Sequence, residues 1–376
     1  MNFKMLDEFL DSLIPFGIPG VDMIVMQDHK PIYRHSAGWR DREAGLPVRG
    51  DELYFMYSCS KVITVTAGMQ LFEKGRFLLD TPVSEFIPEF GNMMVETADG
   101  SLKKAEKPIL MRHLFSMTGG LNYDRNTDAI KAVAERTQGH CPTVDVAKAI
   151  AQTPLSFEPG EHWQYSLCHD VLAAVVEVIS GMRFRDYVKK NIFDPLGMTR
   201  SRYHMIPGTE SEYAAQYRYD DARHTADPIG LNADYVLGDE YDSGGAGVIS
   251  CVDDYAKFVD AMACGGIGAT GAQILGRPAI DLMRMNQLGE VQMRDFNWSQ
   301  MTGYGYGLGV RTVVDKAKGG VLSPIGEFGW GGAAGAYVMI DPENRLSAFY
   351  AQHMLNNKEP YVHPRLRNIL YSCMAR

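Results

Sequence analysis

Residues 57–75 read Tyr57-Ser58-Cys59-Ser60-Lys61-Val62-Ile63-Thr64-Val65-Thr66-Ala67-Gly68-Met69-Gln70-Leu71-Phe72-Glu73-Lys74-Gly75. From 61 to 74 apolar residues fall on most sides of a helical period, and Gly75 stands where a left-handed cap would close the helix, so a buried central helix is expected. Ser58 and Lys61 then lie one turn apart on one face at its amino end, with the amine in reach of the hydroxyl. A serine alone is a poor nucleophile, and a lysine partly desolvated in a cleft can take its proton. The helix amino terminus favours negative charge developing beside it. The plain alternative is an N-cap serine followed by a surface lysine.

Spacing alone does not choose between these readings. Ser101 and Lys104 repeat it inside the polar run 97–104, which reads as a solvated turn. Only Ser58 heads an apolar helix.

The 376 residues are 45% hydrophobic and 22% charged, enough to bury one large core or two modest ones. A net charge of -9 with no basic cluster opposes binding to nucleic acid or an anionic membrane. Residues 1–8 lack a basic segment followed by an apolar run, and no stretch is long enough to span a bilayer. Cys59, Cys141, Cys168, Cys251, Cys264 and Cys373 are widely separated, without a Cys-x-x-Cys pair, and are expected to be reduced in a cytoplasmic protein. The ten histidines form no metal-binding array, so neither a metal nor another cofactor is indicated.

Along the chain, a helix is expected over 4–14, then a hairpin of 20–26 and 32–37 around Gln27-Asp28-His29-Lys30. A short helix over 111–117 closes at Thr118-Gly119-Gly120, and 125–152 is helical in composition. Trp163-Gln164-Tyr165-Ser166-Leu167 follows a Glu158-Pro159-Gly160 turn and feeds an apolar helix over 171–179, capped by Gly181. Residues 182–300 read as helices and long loops, among them Ser243-Gly244-Gly245-Ala246-Gly247, whose backbone can pass close to other groups. At Tyr304 the period becomes two: 304–310 reads as a strand, 336–340 pairs with 346–350 across Asp341-Pro342-Glu343-Asn344, and a helix over 364–374 ends the chain. The expected architecture is α/β of the α+β type. A discontinuous domain, 1–56 with 301–376, holds an antiparallel sheet flanked by helices. A mainly helical domain, 57–300, carries the nucleophile helix and the tyrosine loop, with the active site between the two.

These landmarks resemble the serine β-lactamase and penicillin-binding protein superfamily, in the class C branch, and most closely the family VIII carboxylesterases. Ser58-x-x-Lys61 is similar to the nucleophile motif, the run from Phe157-Glu158-Pro159-Gly160 to Tyr165-Ser166 to the approach to the catalytic tyrosine, residues 243–250 to a segment before a helix, and Gly329-Trp330-Gly331-Gly332 to the third motif. Two departures stand out. Tyr165-Ser166-Leu167 replaces Tyr-x-Asn, and Trp330-Gly331-Gly332 replaces Lys-Thr-Gly or His-Ser-Gly. A β-lactam carboxylate would lose charge-assisted hydrogen bonds of about 1.5–3 kcal/mol each.

The resemblance implies a β-lactamase/transpeptidase-like fold and a serine hydrolase that works through a Ser58 acyl-enzyme, with Lys61 and Tyr165 sharing proton transfer and either one able to be the base. It places the oxyanion hole at the backbone N–H groups of Ser58 and Ala333. It also expects a substrate pocket at Trp330, Gly331, Gly332 and Leu167, with Trp330 either walling the pocket or simply packing. Small-molecule esters or amides are the implied substrates, through a carboxylesterase first, then a β-lactamase, a D-Ala-D-Ala peptidase-like enzyme or an acyltransferase. A non-catalytic binding protein has no need of all three of Ser58, Lys61 and Tyr165.

Overall fold

Strands β1 (Gly20–Gln27) and β2 (Lys30–Asp41) form the expected hairpin, in a computed structural model that describes residues 1–231 and 233–374. The turn between them puts both Asp28 and His29 at positive φ, the conformation that matches the twist of a two-residue hairpin. His29 is thereby aimed at helix α4 (Val252–Ala263), where its Nδ1 meets Asp260 Oδ2 at 2.7 Å. Cys264 joins them, so that donor atoms of three residues lie within 4.8 Å of one another, a grouping that sequence spacing did not reveal.

The hairpin belongs to an eight-stranded antiparallel sheet. With β3 (Leu46–Pro47), β4 (Tyr304–Tyr306), β5 (Arg311–Val313), β6 (Phe328–Gly329), β7 (Tyr337–Asp341) and β8 (Leu346–Ala351), its order is β4-β5-β6-β7-β8-β1-β2-β3. Period-two alternation divides its faces. Val21, Met23 and Val25, with Ala348 and Tyr350, pack with residues of α1 (Lys4–Ser12) and α5 (Glu359–Met374). Ile24, Phe349 and Ala351 face the other way into the large core shared with α2 (Ser60–Glu73), α3 (Cys168–Ser180) and α4. Tyr255 of α4 stacks on Phe349 with ring centroids 4.3 Å apart. The core therefore runs continuously from the sheet into the 57–300 segment.

Several boundaries differ from expectation. The stretch 304–310 is not one strand: Gly309, at positive φ, turns the chain between β4 and β5, and a Cβ there would meet Val65 of α2 at 2.2 Å. The last helix begins at Glu359 and contains Pro364, because one missing backbone donor is outweighed by the burial of Val362, Leu366 and Leu370. Residues 125–152 split into helices Asp128–Arg136 and Thr143–Ile150, since Gln138, Gly139 and Cys141 take left-handed conformations before Pro142. A hairpin of Tyr217–Asp220 and Thr225–Pro228 lies within a region read as helices and loops. Among the described residues no helix is long and apolar enough to cross a membrane.

Candidate active site

Ser58 sits in a 3-10 turn, Tyr57–Cys59, that leads directly into α2. Tyr57 has φ 44, an uncommon conformation for a residue with a large side chain, and the turn holds Ser58 half-buried at the cleft. One turn on, Lys61 is fully buried. Its Nζ lies 3.2 Å from Ser58 Oγ, 3.3 Å from Tyr123 Oη and 2.7 Å from the Gly245 carbonyl oxygen. No carboxylate among the described residues comes within ion-pair distance of it. These partners suit either charge state, because an uncharged amine can donate to Gly245 and Tyr123 while its lone pair accepts the Ser58 O–H.

The 243–247 loop is fixed from below by Asp170 of α3, which accepts hydrogen bonds from Tyr241 Oη at 2.7 Å, Ser243 Oγ at 2.7 Å and Gly245 N at 3.3 Å. Thr64 Oγ1 donates to the Gly244 carbonyl at 2.7 Å, tying the same loop to α2. Gly245 has to be glycine here: a Cβ would stand 2.6 Å from Asp170 Oδ2 and 3.2 Å from Lys61 Nζ.

Tyr165 enters on the loop ahead of α3. Its ring lies under Lys61, whose Nζ is 4.6 Å from the ring centroid, and between the rings of Tyr123 (5.6 Å) and Trp330 (5.7 Å), nearly parallel to both. Trp330 Nε1 donates to Tyr165 Oη at 3.2 Å. Burial raises the phenol well above its ordinary pKa, while the hydrogen bonds of Ser58 and Trp330 lower it by less. Lys61 Nζ stands 4.6 Å from the ring centroid, and desolvation is the dominant influence on the phenol. Tyr123 is raised for the same reason, with Lys61 opposing.

Ala333 stands on the turn that joins β6 to β7. Gly332 N donates to Ala336 O at 2.7 Å, Gly335 N to Gly332 O at 2.8 Å, and Asn357 Nδ2 to the carbonyls of Gly332 and Ala333 at 3.0 and 2.9 Å. A Cβ at Gly332 would meet the Met56 carbonyl at 2.5 Å, so glycine lets this turn come up against the Ser58 turn. The Ala333 N–H donates to no backbone carbonyl of a described residue.

Two cavities meet at Ser58, Tyr165 and Ala333. One, of about 170 Å³, is lined by Trp298, Trp330, Gly331, Gly332, Glu359 and His363; the other, of about 470 Å³, by Tyr57, Tyr123, Arg125, Arg218, Asp234 and Tyr235. The structure thus brings together Ser58, Lys61, Tyr165, Trp330, Gly331, Gly332 and Ala333. Leu167 is not among them. It is 2% exposed and packs in the core at the start of α3, with its N–H bonded to Asn122 O, so it lines neither cavity. Ser101 lies in an exposed turn bonded to Thr97 and Asp99. Cys59 and Cys168 are buried, and desolvation raises both thiols.

Tyr123, Asp170, Trp298 and Glu359 were not found from sequence. Tyr123 and Asp170 fall in the short gaps between elements expected from sequence, 121–124 and 168–170, and Glu359 heads a helix expected to start five residues later.

The Beta-lactamase family model matches residues 10–371. Esterase EstB of Burkholderia gladioli is 30% identical over 353 residues, covering 87% of this chain and 84% of that protein. Protein Rv1367c of Mycobacterium tuberculosis is 29% identical, covering 89% and 85%. Among solved structures, EstCE1, a hydrolase with promiscuous acyltransferase activity, superposes with a TM-score of 0.80 at 23% identity, covering 98% of each chain, a likeness of fold.

Proposed function

Since the chain belongs to the Beta-lactamase family, the serine β-lactamase and penicillin-binding protein superfamily, and is a serine hydrolase, we propose that it is a carboxylesterase for small esters that works through an acyl-enzyme on Ser58. The observation that carries this reading is the 3.2 Å approach of Lys61 Nζ to Ser58 Oγ with no carboxylate paired to the lysine among the described residues. In the proposed cycle Ser58 Oγ attacks the ester carbonyl as its proton passes to Lys61, and the tetrahedral oxyanion takes hydrogen bonds from the N–H groups of Ser58 and Ala333. Tyr165 keeps its proton at neutral pH, which suits it as the donor to the departing alcohol, with Lys61 Nζ, 3.2 Å from Ser58 Oγ, as the proton acceptor. The Trp330 indole can only donate, so it occupies a Tyr165 lone pair and leaves the phenolic proton free to point into the cleft. Lys61 then restores that proton, and a water repeats the sequence to release the acid.

Esters suit the smaller cavity better than β-lactams do. A β-lactam carboxylate would meet Trp330 and the Glu359 carboxyl where related enzymes place a cation and a hydroxyl. Burial raises the pKa of Glu359, and whichever form it takes it supplies no positive charge. EstB, named an esterase, supports the same reading. The test compares kcat/KM for p-nitrophenyl butyrate and nitrocefin. A ratio strongly in favour of the ester is expected, and a nitrocefin value equal to or above the ester's would replace this reading with a β-lactamase.

A further inference from the structure

The two cavities that share Ser58 differ in charge. Glu359 is the ionisable carboxyl lining the smaller one, and the His363 imidazole there is held neutral by burial, its pKa lowered to about 3. The larger cavity presents the guanidinium groups of Arg125 and Arg218 against the single carboxylate of Asp234. Asp234 engages Arg125, with Oδ2 3.4 Å from Nη2. Arg218, on the first strand of the 217–228 hairpin, is exposed and has no carboxylate of a described residue within ion-pair distance. Its cross-strand neighbour Asp227 is engaged by Arg223. One positive charge is therefore left over in a cavity that opens directly onto the nucleophile.

The aromatic walls make that charge usable. Tyr57, Tyr123 and Tyr235 line the same cavity as Ser58 and the two arginines. A flexible chain of several carbons would lie along the rings while its end met the guanidinium fork, whose planar donors match a carboxylate. An ester that spans both cavities is then oriented by charge as well as by shape: an anion is repelled from, or left unpaired in, the Glu359 side and is paired in the other.

Resting on the Ser58 esterase reading, we propose that the substrate is an ester with a carboxylate on one arm, the arm seated in the Arg218 cavity, and a neutral apolar arm against Trp330.

The test uses four p-nitrophenyl or phenolic esters: p-nitrophenyl hexanoate and phenyl hexanoate, which are neutral; the p-nitrophenyl monoester of adipic acid, anionic on the acyl arm; and the hexanoate ester of 4-hydroxybenzoate, anionic on the alcohol arm. Each is measured with the full chain, with Arg218→Gln and Arg218→Lys, and at low and high salt. One of the two anionic esters is expected to exceed its neutral counterpart (for the alcohol arm, phenyl hexanoate) in kcat/KM. That advantage should fall about tenfold in Arg218→Gln, recover in part in Arg218→Lys and shrink as salt shortens the range of the charge. The arm that shows it identifies which half of the ester lies in the cavity. No advantage for either anionic ester, or an advantage that survives Arg218→Gln and high salt, overturns the proposal. Hydrolysis of the neutral esters by the wild type and its loss in Ser58→Ala report separately on the esterase reading, so failure of one claim is not mistaken for failure of the other.

Discussion

The indole N–H of Trp330 donates to the hydroxyl of Tyr165 at 3.2 Å, with the two rings stacked 5.7 Å apart at 21°. A residue that sequence reading offered as either pocket wall or packing thus also sets the direction of a phenolic proton. Trp330→Phe keeps an aromatic ring and deletes the donor, so kcat on p-nitrophenyl butyrate should fall about tenfold with KM little changed. Steady-state kinetics check this, and wild-type kcat in the phenylalanine variant would reduce Trp330 to packing.

Lys61 and Tyr165 lie on one proton path in the proposed cycle. Lys61→Ala and Tyr165→Phe should each lower kcat by several orders of magnitude, and the double variant should be little worse than either, because removing a second member of a broken relay removes nothing further. A double-variant cycle with additive losses contradicts the shared path.

Gly245→Ala tests the support beneath Lys61. The new methyl cannot coexist with Asp170 Oδ2 at 2.6 Å and Lys61 Nζ at 3.2 Å, so the loop or the lysine has to move. A displacement of that size is expected to reduce kcat by about tenfold to a hundredfold. Unchanged turnover would show that the Gly245 carbonyl does not position the amine.

The sequence made the nucleophile helix legible because its signal is local: an apolar run, a serine and lysine one turn apart, and a capping glycine. The Leu346–Ala351 strand and its partner were legible for the same reason, since one turn separates them. What escaped was non-local. Tyr123 reaches Lys61 from 62 positions away and nothing in its segment's own pattern records that meeting, while Gly245 reaches it from 184, where the small residues of 243–247 signal a close backbone approach but not its partner. Leu167 was misplaced because its neighbour Tyr165 faces the cleft while the start of α3 turns Leu167 into the core. Pro364 suggested a helix start, but burial of the residues on either side carried the helix through it.

Alkali should unfold the protein in a single step. Burial holds the phenols of Tyr54, Tyr203, Tyr241, Tyr255, Tyr306 and Tyr350 well above the ordinary value of 10. Below that pH both folded and unfolded chains keep these protons, and the stability is undiminished. Above it the unfolded chain releases protons that the folded chain retains, so stability falls as pH rises. Absorbance at 295 nm should show these tyrosines ionising together with the loss of structure. Their smooth titration in a chain that stays folded would contradict the burial described here.

Ser58 as the covalent nucleophile is the central claim, and intact mass after exposure to a fluorophosphonate tests it most directly. Wild type and Ser101→Ala should each gain one adduct, and Ser58→Ala none; an adduct that persists in Ser58→Ala would contradict the account.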